Sequence, residues 1–237
     1  MRVLVERGSG EVGKRVSLDQ QEIQHLKVRR ARDGERVEVL DGAGLQGAGA
    51  LVRVGRGWAV DVTASQRTQR PPALTLAVAA GDRERFSWMV EKAVELGVTR
   101  IVPLETARTA GVVTGLKRAH IGRLQRSALE SIKQCGVAWA PEIEDIVPLP
   151  EFLGEPLAGT GWLADQGGDA APPSMVEDTA LSVVIGPEGG LTDEERDAAV
   201  RAGYRPLALG RYTLRFETAA LAAAVAVNQA RMRGHHG

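Results

Sequence analysis

One segment combines the residue types that bind small ligands in α/β proteins, Leu181–Glu195 (LSVVIGPEGGLTDEE). An apolar run is followed by a glycine-rich turn and then by Thr192 and Glu195, spaced as a capping box that starts a helix. In open α/β sheets, ligands bind at the carboxyl ends of strands, where glycines let the backbone approach closely. The turn could equally be a plain strand-to-helix connection with positive φ at Gly189 or Gly190, so the motif alone leaves both interpretations open.

Several common ligand motifs are absent from the sequence. There is no GxxxxGK[ST] phosphate loop, and no GxGxxG follows the first predicted strand of the second domain. Cys135 is the only cysteine, which excludes an internal disulfide and a cysteine-based zinc cluster. The four histidines are scattered, at 25, 120, 235 and 236. We therefore expect no metal site.

A second candidate segment lies near the C terminus, Ala208–Val227. Here Arg211, Arg215 and Glu217 lie in a predicted loop between a strand and an alanine-rich helix. If that strand belongs to the same sheet as the GPEGG strand, these side chains form another wall of a pocket at one sheet edge. The alternative is a solvated loop in which Glu217 stabilises the helix N terminus.

The elements that position these residues fall into two groups, separated by the polar segment Thr63–Ala73 with its Pro-Pro pair. Before it, strand-like runs with glycine turns and one helix predict a small β-barrel, residues 1–70. After it, strands alternate with helices, which predicts a mainly parallel sheet, residues 74–237. Expected strands are 2–6, 36–40, 48–54, 58–62, 74–80, 100–104, 161–165, 181–186 and 206–209; expected helices are 19–30, 84–96, 117–134, 192–202 and 218–232, and 167–178 reads as a loop.

The overall composition is that of a folded globular protein. The chain has 237 residues, of which 43% are hydrophobic and 25% charged. Its longest apolar run, Ala219–Val227, is too short to cross a membrane. Glu6 and Arg7 interrupt the region where a signal peptide needs apolar residues. These features predict a cytoplasmic protein with no membrane partner.

The charge is unevenly distributed, although the net charge is zero. Residues 1–72 hold 13 Lys and Arg against 9 Asp and Glu, which leaves an equal acidic excess in the remainder. A basic module is suited to a polyanion such as RNA. Ordinary scatter of surface charge would give the same difference.

Four motifs, in order, resemble the bacterial 16S ribosomal RNA uridine-N3 methyltransferase family, which belongs to the SPOUT or α/β-knot class. They are VEKAVELGVTRIVPL (90–104), KQCGVAWAPEI (133–143), GPEGGLTDEE (186–195) and LGRYTLRFETAA (209–220). In the first domain, HLKVRRARDGERVEVLDGAG (25–44) resembles the family's N-terminal RNA-binding barrel of PUA type. The resemblance covers nearly the whole chain.

The resemblance implies a fold, a reaction and partners. The fold is an α/β SPOUT domain with a parallel sheet and a deep trefoil knot, preceded by a small PUA-like β-barrel. The reaction is methylation of a uridine N3 in the 16S ribosomal RNA of the small ribosomal subunit, with S-adenosylmethionine as cofactor. The enzyme is implied to act as a homodimer.

The resemblance also assigns site residues, to which we add candidates from the charge pattern. The cofactor-binding residues are Leu163, Ile185, Gly186, Gly189, Gly190, Leu209, Gly210 and Leu214. The catalytic candidates are Arg215, which would stabilise the developing anion, and Glu217, as base or as orienting group. The RNA-binding candidates are Arg7, His25, Lys27, Arg30, Arg83 and Arg85, any of which could instead be an ordinary surface charge.

The chain departs from the family pattern at two places. Lys133, Gln134 and Val137 stand where members show Glu-Gln-x-x-Arg, and Phe216 stands in the Thr position of Leu-Arg-Thr-Glu-Thr. Three alternatives therefore stay open: a knotted methyltransferase acting on ribose 2′-OH or on transfer RNA, a noncatalytic RNA-binding assembly factor, and a general metabolic α/β enzyme.

Overall fold

A computed structural model of the protein describes residues 1–110, 115–169 and 179–234. The chain divides into two compact units. The first is Met1–Arg70 together with Leu129–Ala140, and the second is Pro71–Ala128 together with Pro141–Gly237. The sequence placed 129–140 in the second domain, whereas in the structure these residues group with the first.

The first unit is built on a five-stranded sheet in the order β1-β3-β4-β5-β2. The β1–β3 pair is parallel and the other pairs are antiparallel, so the sheet is mixed. The expected closed barrel is not seen, because no described strand joins the three-residue edge strands β1 and β2. The strands are β1 (Arg2–Leu4), β2 (Arg15–Ser17), β3 (Arg36–Leu40), β4 (Leu45–Val54) and β5 (Gly57–Arg67), with one helix, α1 (Gln20–Val28).

Helix α1 has well-defined ends. Its N-cap Asp19 accepts a hydrogen bond from the amide of Glu22 at 2.7 Å, and its buried face includes Ile23 and Leu26. Just beyond its C-cap, Arg30 has φ of +55°, in the left-handed region that usually favours glycine. The helix is therefore closed by a strained arginine.

The predicted linker Thr63–Ala73 was partly wrong, because β5 continues to Arg67. The terminal residues of this strand are largely exposed, so they lack the apolar alternation by which a half-buried strand is recognised. Backbone pairing with β4 extends the strand instead: Leu45 opposes Arg67 at the end of the ladder.

The second unit contains a sheet in which every described strand pair is parallel, in the order β12-β10-β11-β6-β7-β8, with β9 also paired to β7. Its strands are β6 (Leu74–Ala79), β7 (Arg100–Glu105), β8 (Glu142–Ile143), β9 (Val147–Pro148), β10 (Thr160–Asp169), β11 (Leu181–Ile185) and β12 (Tyr204–Leu207). The helices are α2 (Arg83–Glu95), α3 (Ile121–Cys135), α4 (Leu149–Gly154), α5 (Asp193–Arg201) and α6 (Phe216–Gly234), with a 3₁₀ turn at Arg118–His120. Helix α3 is divided between the units, because its residues from Leu129 onwards group with the first.

The expected parallel sheet is confirmed, and its sequence signals have clear physical causes. All residues of β6 and β11 are buried, as in a sheet covered on both faces. Helix α2 starts at Asp82, whose carboxylate accepts from the amides of Glu84 and Arg85, and stops before Gly97 at φ +68°. The elements that sequence reasoning missed are short: β2, β8, β9 and α4. The predicted 167–178 loop lies partly in β10 and otherwise, from 170, outside the described residues.

This topology determines where a ligand can bind. Strands β12, β10 and β11 are neighbours and parallel, so their carboxyl ends meet at one edge. Helix α5 follows β11 in the chain, and the loop before α6 follows β12. Both candidate segments of the sequence therefore reach the same place.

Candidate functional site

A cavity of about 370 Å³ lies at the carboxyl ends of β10 and β11 and beside the loop that follows β12. The structure brings all eight residues predicted to bind the cofactor to the lining of this cavity. They are Leu163, Ile185, Gly186, Gly189, Gly190, Leu209, Gly210 and Leu214. The volume is within the range of small-molecule sites.

The GPEGG turn forms one wall of the cavity, and the structure explains why two of its positions are glycine. Gly190 has φ of +75°, and its amide donates to the carbonyl of Pro187 at 2.8 Å, which closes the turn. A Cβ on Gly186 would lie 3.1 Å from Cγ of Leu191 and 3.3 Å from its amide nitrogen. A side chain at position 186 would therefore press against the backbone that forms the cavity.

Three charged side chains that were not selected from the sequence also line the cavity: Asp165, Glu188 and Arg196. Asp165 pairs with Arg196 at 3.3 Å, and Glu188 pairs with Arg85 at 3.2 Å. Asp165 lies two residues after Leu163 and ends the predicted strand 161–165, a signal that could have identified it, although β10 itself continues to Asp169. Acidic residues at such strand ends often bind ribose hydroxyls.

Helix α5 begins with the predicted capping box, which the structure confirms. Oγ1 of Thr192 accepts from the amide of Glu195, and Oε2 of Glu195 accepts from the amide of Thr192 at 2.9 Å. The other carboxylate oxygen, Oε1, accepts from the amide of Ala107 at 2.8 Å. One carboxylate thus ties the loop after β7 to the start of α5.

The two predicted catalytic residues flank the cavity without lining it. Phe216, which lies between them in sequence, is a lining residue and packs against Phe86 with 6.1 Å between ring centroids. Arg215 is exposed. Glu217 is only 7% exposed, and its Oε2 makes no hydrogen bond within the part of the chain that the structure describes. The catalytic roles of both stay predictions.

The RNA-binding candidates are divided between the two units. In the first, Arg7, Lys27 and Arg30 are exposed and His25 is half-buried. In the second, Arg83 is exposed at the start of α2, and Arg85 is the partner of Glu188 at the cavity. The structure therefore places Arg85 at the cavity, while the role of all six in RNA binding stays a prediction.

The described residues hold neither a metal-binding cluster nor a membrane-spanning helix. No group of three His, Cys, Asp or Glu side chains is arranged to hold a metal ion among residues 1–110, 115–169 and 179–234. Within the same ranges, no helix has the length and apolar character needed to span a bilayer. His235 and His236 lie outside the described residues.

Comparison with known proteins decides the family. The model of the RNA methyltransferase domain matches residues 68–228, which includes every strand that contributes to the cavity. The chain belongs to this family. Among its relatives, ribosomal RNA small subunit methyltransferase E of Synechocystis sp. is 29% identical over 223 residues, which cover 90% of this chain and 72% of the relative.

Solved structures of similar proteins extend the likeness to both units. Ribosomal RNA small subunit methyltransferase E from Neisseria gonorrhoeae, bound to S-adenosyl methionine, has a TM-score of 0.86 and 27% identity, with 96% of each chain covered. A methyltransferase from Legionella pneumophila, also solved with bound S-adenosyl methionine, has a TM-score of 0.84 and 26% identity, with 97% of each chain covered.

The residues around the cavity fit S-adenosylmethionine in chemical type. Leucine and isoleucine side chains from β10, β11 and the last loop offer apolar surface for an adenine ring. The carboxylates of Asp165 and Glu188 suit hydroxyl groups and positive charge, both of which this cofactor carries. The turn at Gly186–Gly190 lines the cavity, and its last three residues are exposed, so its backbone can approach a ligand.

Proposed function

We propose that the protein is a cytoplasmic methyltransferase that uses S-adenosylmethionine to methylate N3 of a uridine in 16S ribosomal RNA. The observation that supports this most is the convergence of all eight expected cofactor-binding residues on one cavity. The 96% coverage by a structure solved with S-adenosyl methionine supports the same cofactor. The name of the Synechocystis relative supports ribosomal RNA of the small subunit as the substrate.

We assign a role to each group of residues that line the cavity. Leu163, Ile185, Leu209 and Leu214 would hold the adenine, and the Gly186–Gly190 turn would approach the cofactor with its backbone. When bound, S-adenosylmethionine supplies an electrophilic methyl group.

On the RNA side, uridine N3 carries a proton near neutral pH, and its removal leaves negative charge on O2 and O4 of the base. A nearby cation lowers the cost of that charge. Arg215 is the candidate from the sequence, and its exposed position beside lining residue Phe216 leaves it accessible to a base. Glu217, adjacent and buried with an unpaired oxygen, would act as base or orient a neighbouring group.

The RNA would be held largely by phosphate contacts. Aromatic residues are only 4% of the chain, which argues against a long base-stacking platform. The exposed cations of the first unit are suited to such contacts. The candidates are Arg7, His25, Lys27 and Arg30, together with Arg83 and Arg85 of the second unit.

We further propose a homodimer, with a trefoil knot in the second unit and a PUA-type role for the first. Helix α6 supports the dimer, since residues 218–230 contain no charged side chain. Thr218, Val225 and Gln229 are nevertheless exposed on it. An exposed helix face without charge is typical of a surface that a second copy covers.

The deciding experiment uses methyl-labelled S-adenosylmethionine with three substrates: unmodified small ribosomal subunits, bare 16S ribosomal RNA and transfer RNA. Modified nucleosides are then identified by mass spectrometry. Label in 3-methyluridine from the subunit or its RNA supports the proposal. Label in a 2′-O-methylated nucleoside or in transfer RNA would instead indicate a related methyltransferase with another target. Cofactor binding with no label in any substrate would indicate a noncatalytic RNA-binding factor.

A further inference from the structure

Arg108 was not selected from the sequence, yet it lies against the GPEGG turn. It belongs to the loop after β7, in a turn closed by the amides of Thr109 and Ala110, which donate to the carbonyl of Thr106. Nη1 of Arg108 lies 3.4 Å from the carbonyl oxygen of Gly190. A Cβ on Gly189 would be 3.5 Å from the same nitrogen, an ordinary van der Waals distance, so the Arg108 side chain lies directly beside both glycines of the turn.

The backbone next to Arg108 is fixed by an interaction across the chain. The amide of Ala107 donates to Oε1 of Glu195, whose Oε2 accepts from the amide of Thr192. Since Leu191 and Arg196, on either side of this cap, line the cavity, the bond holds the Arg108 loop at the cavity rim. Since Ala107 directly precedes Arg108, this bond anchors the backbone on the N-terminal side of Arg108.

Among the described residues, the charge of Arg108 has no acidic partner, unlike that of its neighbours. Arg85 is paired with Glu188, and Arg196 is paired with Asp165. Among the residues described by the structure, no carboxylate oxygen lies within 4.0 Å of the Arg108 guanidinium. Its hydrogen bond to the carbonyl of Gly190 is long and is the one it makes to described residues, which leaves most of its five N–H donors available.

We propose that Arg108 binds an anionic oxygen of the RNA at the mouth of the cofactor cavity, and that Glu195 is the positioning residue that holds it there. The proposal rests on the proposed function and extends it. The anionic oxygen belongs either to a phosphate beside the target nucleotide or to the uracil ring as it loses its N3 proton. Both are chemistry that a fixed, solvent-facing guanidinium recognises.

The test compares Arg108→Ala and Arg108→Lys with Arg201→Ala, an exposed arginine in the last turn of α5. Three quantities are measured for each: cofactor affinity by calorimetry, affinity for a 16S ribosomal RNA transcript across a salt series, and kcat and KM for methylation of the small subunit. The RNA-binding measurement needs no methyl transfer, so it tests Arg108 even if the proposed reaction fails.

For Arg108→Ala we expect unchanged cofactor affinity and one of two losses. A roughly tenfold loss of RNA affinity with a salt slope reduced by about one identifies a phosphate. A fall in kcat of about 100-fold at unchanged RNA affinity identifies the uracil anion. In either case Arg108→Lys recovers part of the loss. The proposal would be overturned if the RNA affinity and kcat of Arg108→Ala both lie within twofold of those of Arg201→Ala. It would also be overturned if saturating cofactor fully restores the methylation rate of Arg108→Ala.

Glu195 is tested against Thr192→Ala, which breaks the same helix cap but leaves the bond between Ala107 and Glu195 in place. We expect Glu195→Ala to reproduce the defect of Arg108→Ala and Thr192→Ala to leave kcat and RNA affinity within about threefold of wild type. In the Arg108→Ala background, Glu195→Ala should cause no further loss. Fully additive losses would show that Glu195 does not act through Arg108.

Discussion

The ammonium nitrogen of Lys133 in α3 lies 2.5 Å from Oε1 of Glu22 in α1. Both side chains are buried within the first unit, at 8% and 2% exposure, and Lys133 also contacts Glu130 at 2.6 Å. Burial raises the pKa of Glu22, against the opposing effect of Lys133. Burial alone would lower the pKa of Lys133, but its hydrogen bonds to Glu130 and Glu22 outweigh it and raise that pKa. Lys133, where the family pattern has glutamate, therefore forms a buried ion pair with Glu22.

Replacing Lys133 by Met should destabilise the protein in a pH-dependent way. Removing the cation raises the pKa of Glu22 in the folded protein further. A carboxyl whose pKa is higher in the folded than in the unfolded state lowers the free energy of unfolding as the pH rises through the folded pKa. We expect a loss of about 3 kcal/mol at pH 8 that becomes smaller towards pH 5, measured by urea unfolding. Lys92→Met, at an exposed pair with Glu95, should change little at any pH. A pH-independent loss at Lys133 would contradict this account.

Gly190→Ala should weaken cofactor binding, because alanine at φ +75° strains the turn that lines the cavity. Gly97→Ala is the matched control: Gly97 has φ of +68° at the end of α2, with no neighbour within 4 Å of an added Cβ. Both variants should lose about 1 kcal/mol of stability. Only Gly190→Ala should lower the affinity for S-adenosylmethionine in calorimetry. If both variants lower it equally, the turn at Gly186–Gly190 does not bind the cofactor.

Phe216→Thr restores the residue type of the family pattern but should destabilise this chain. Phe216 is 1% exposed and packs so tightly on Gly81 that a Cβ there would lie 2.8 Å from Cε1 of the ring. We expect a loss of about 3 kcal/mol in urea unfolding, and weaker cofactor binding because the ring lines the cavity. Tyr212→Thr, at a lining residue that is 74% exposed, should leave stability nearly unchanged. A Phe216→Thr protein as stable as wild type would contradict the packing argument.

Arg30→Gly should separate folding from RNA binding. Glycine relieves the positive φ at this position, so the free energy of unfolding should rise by up to about 1 kcal/mol. RNA affinity should nevertheless fall, and the dependence on salt should decrease by about one unit of slope, because a phosphate contact is lost. Arg30→Ala should show the same RNA defect without the gain in stability. Unchanged RNA affinity in both variants would remove Arg30 from the interface.

The proposed dimer is tested at Val225, which is 39% exposed on the uncharged face of α6. Val225→Asp should shift the protein to monomers in sedimentation velocity, since an unpaired carboxylate in an apolar interface is costly. Val200→Asp, on exposed α5, provides the control, with Val200 46% exposed. If both variants behave like wild type, the face of α6 around Val225 is not the interface.

Local signals predicted the parts of the site that depend on consecutive residues. The capping box of Thr192 and Glu195 and the buried strand before the turn follow from short-range stereochemistry. So does a positive φ at Gly189 or Gly190, which the structure places at Gly190. The family resemblance then supplied Leu163 and Leu214, which lie far apart in the chain. In the fold, the alternation of strands and helices was sufficient to predict the parallel sheet.

Residues that depend on distant partners were not predictable in this way. Arg108 gains its position from Gly190 and from the bond between Ala107 and Glu195, a separation of 88 residues. Residues 129–135 continue helix α3 from the second unit, and nothing in the sequence of 129–140 indicates that they group with the first. The exposed end of β5 was missed because its pairing, rather than apolar burial, makes it a strand.

The discontinuity of the first unit has a consequence for synthesis on the ribosome. Domains generally fold from the N terminus as the chain emerges, but this unit includes Leu129–Ala140, which is translated only after β6, α2 and β7. The carboxylate of Glu22 has no Lys133 to pair with until then. The first unit therefore cannot be completed until about 140 residues have been synthesised, twice the length of its N-terminal segment Met1–Arg70. A nascent chain stalled before residue 129 should remain sensitive to protease within its first 70 residues.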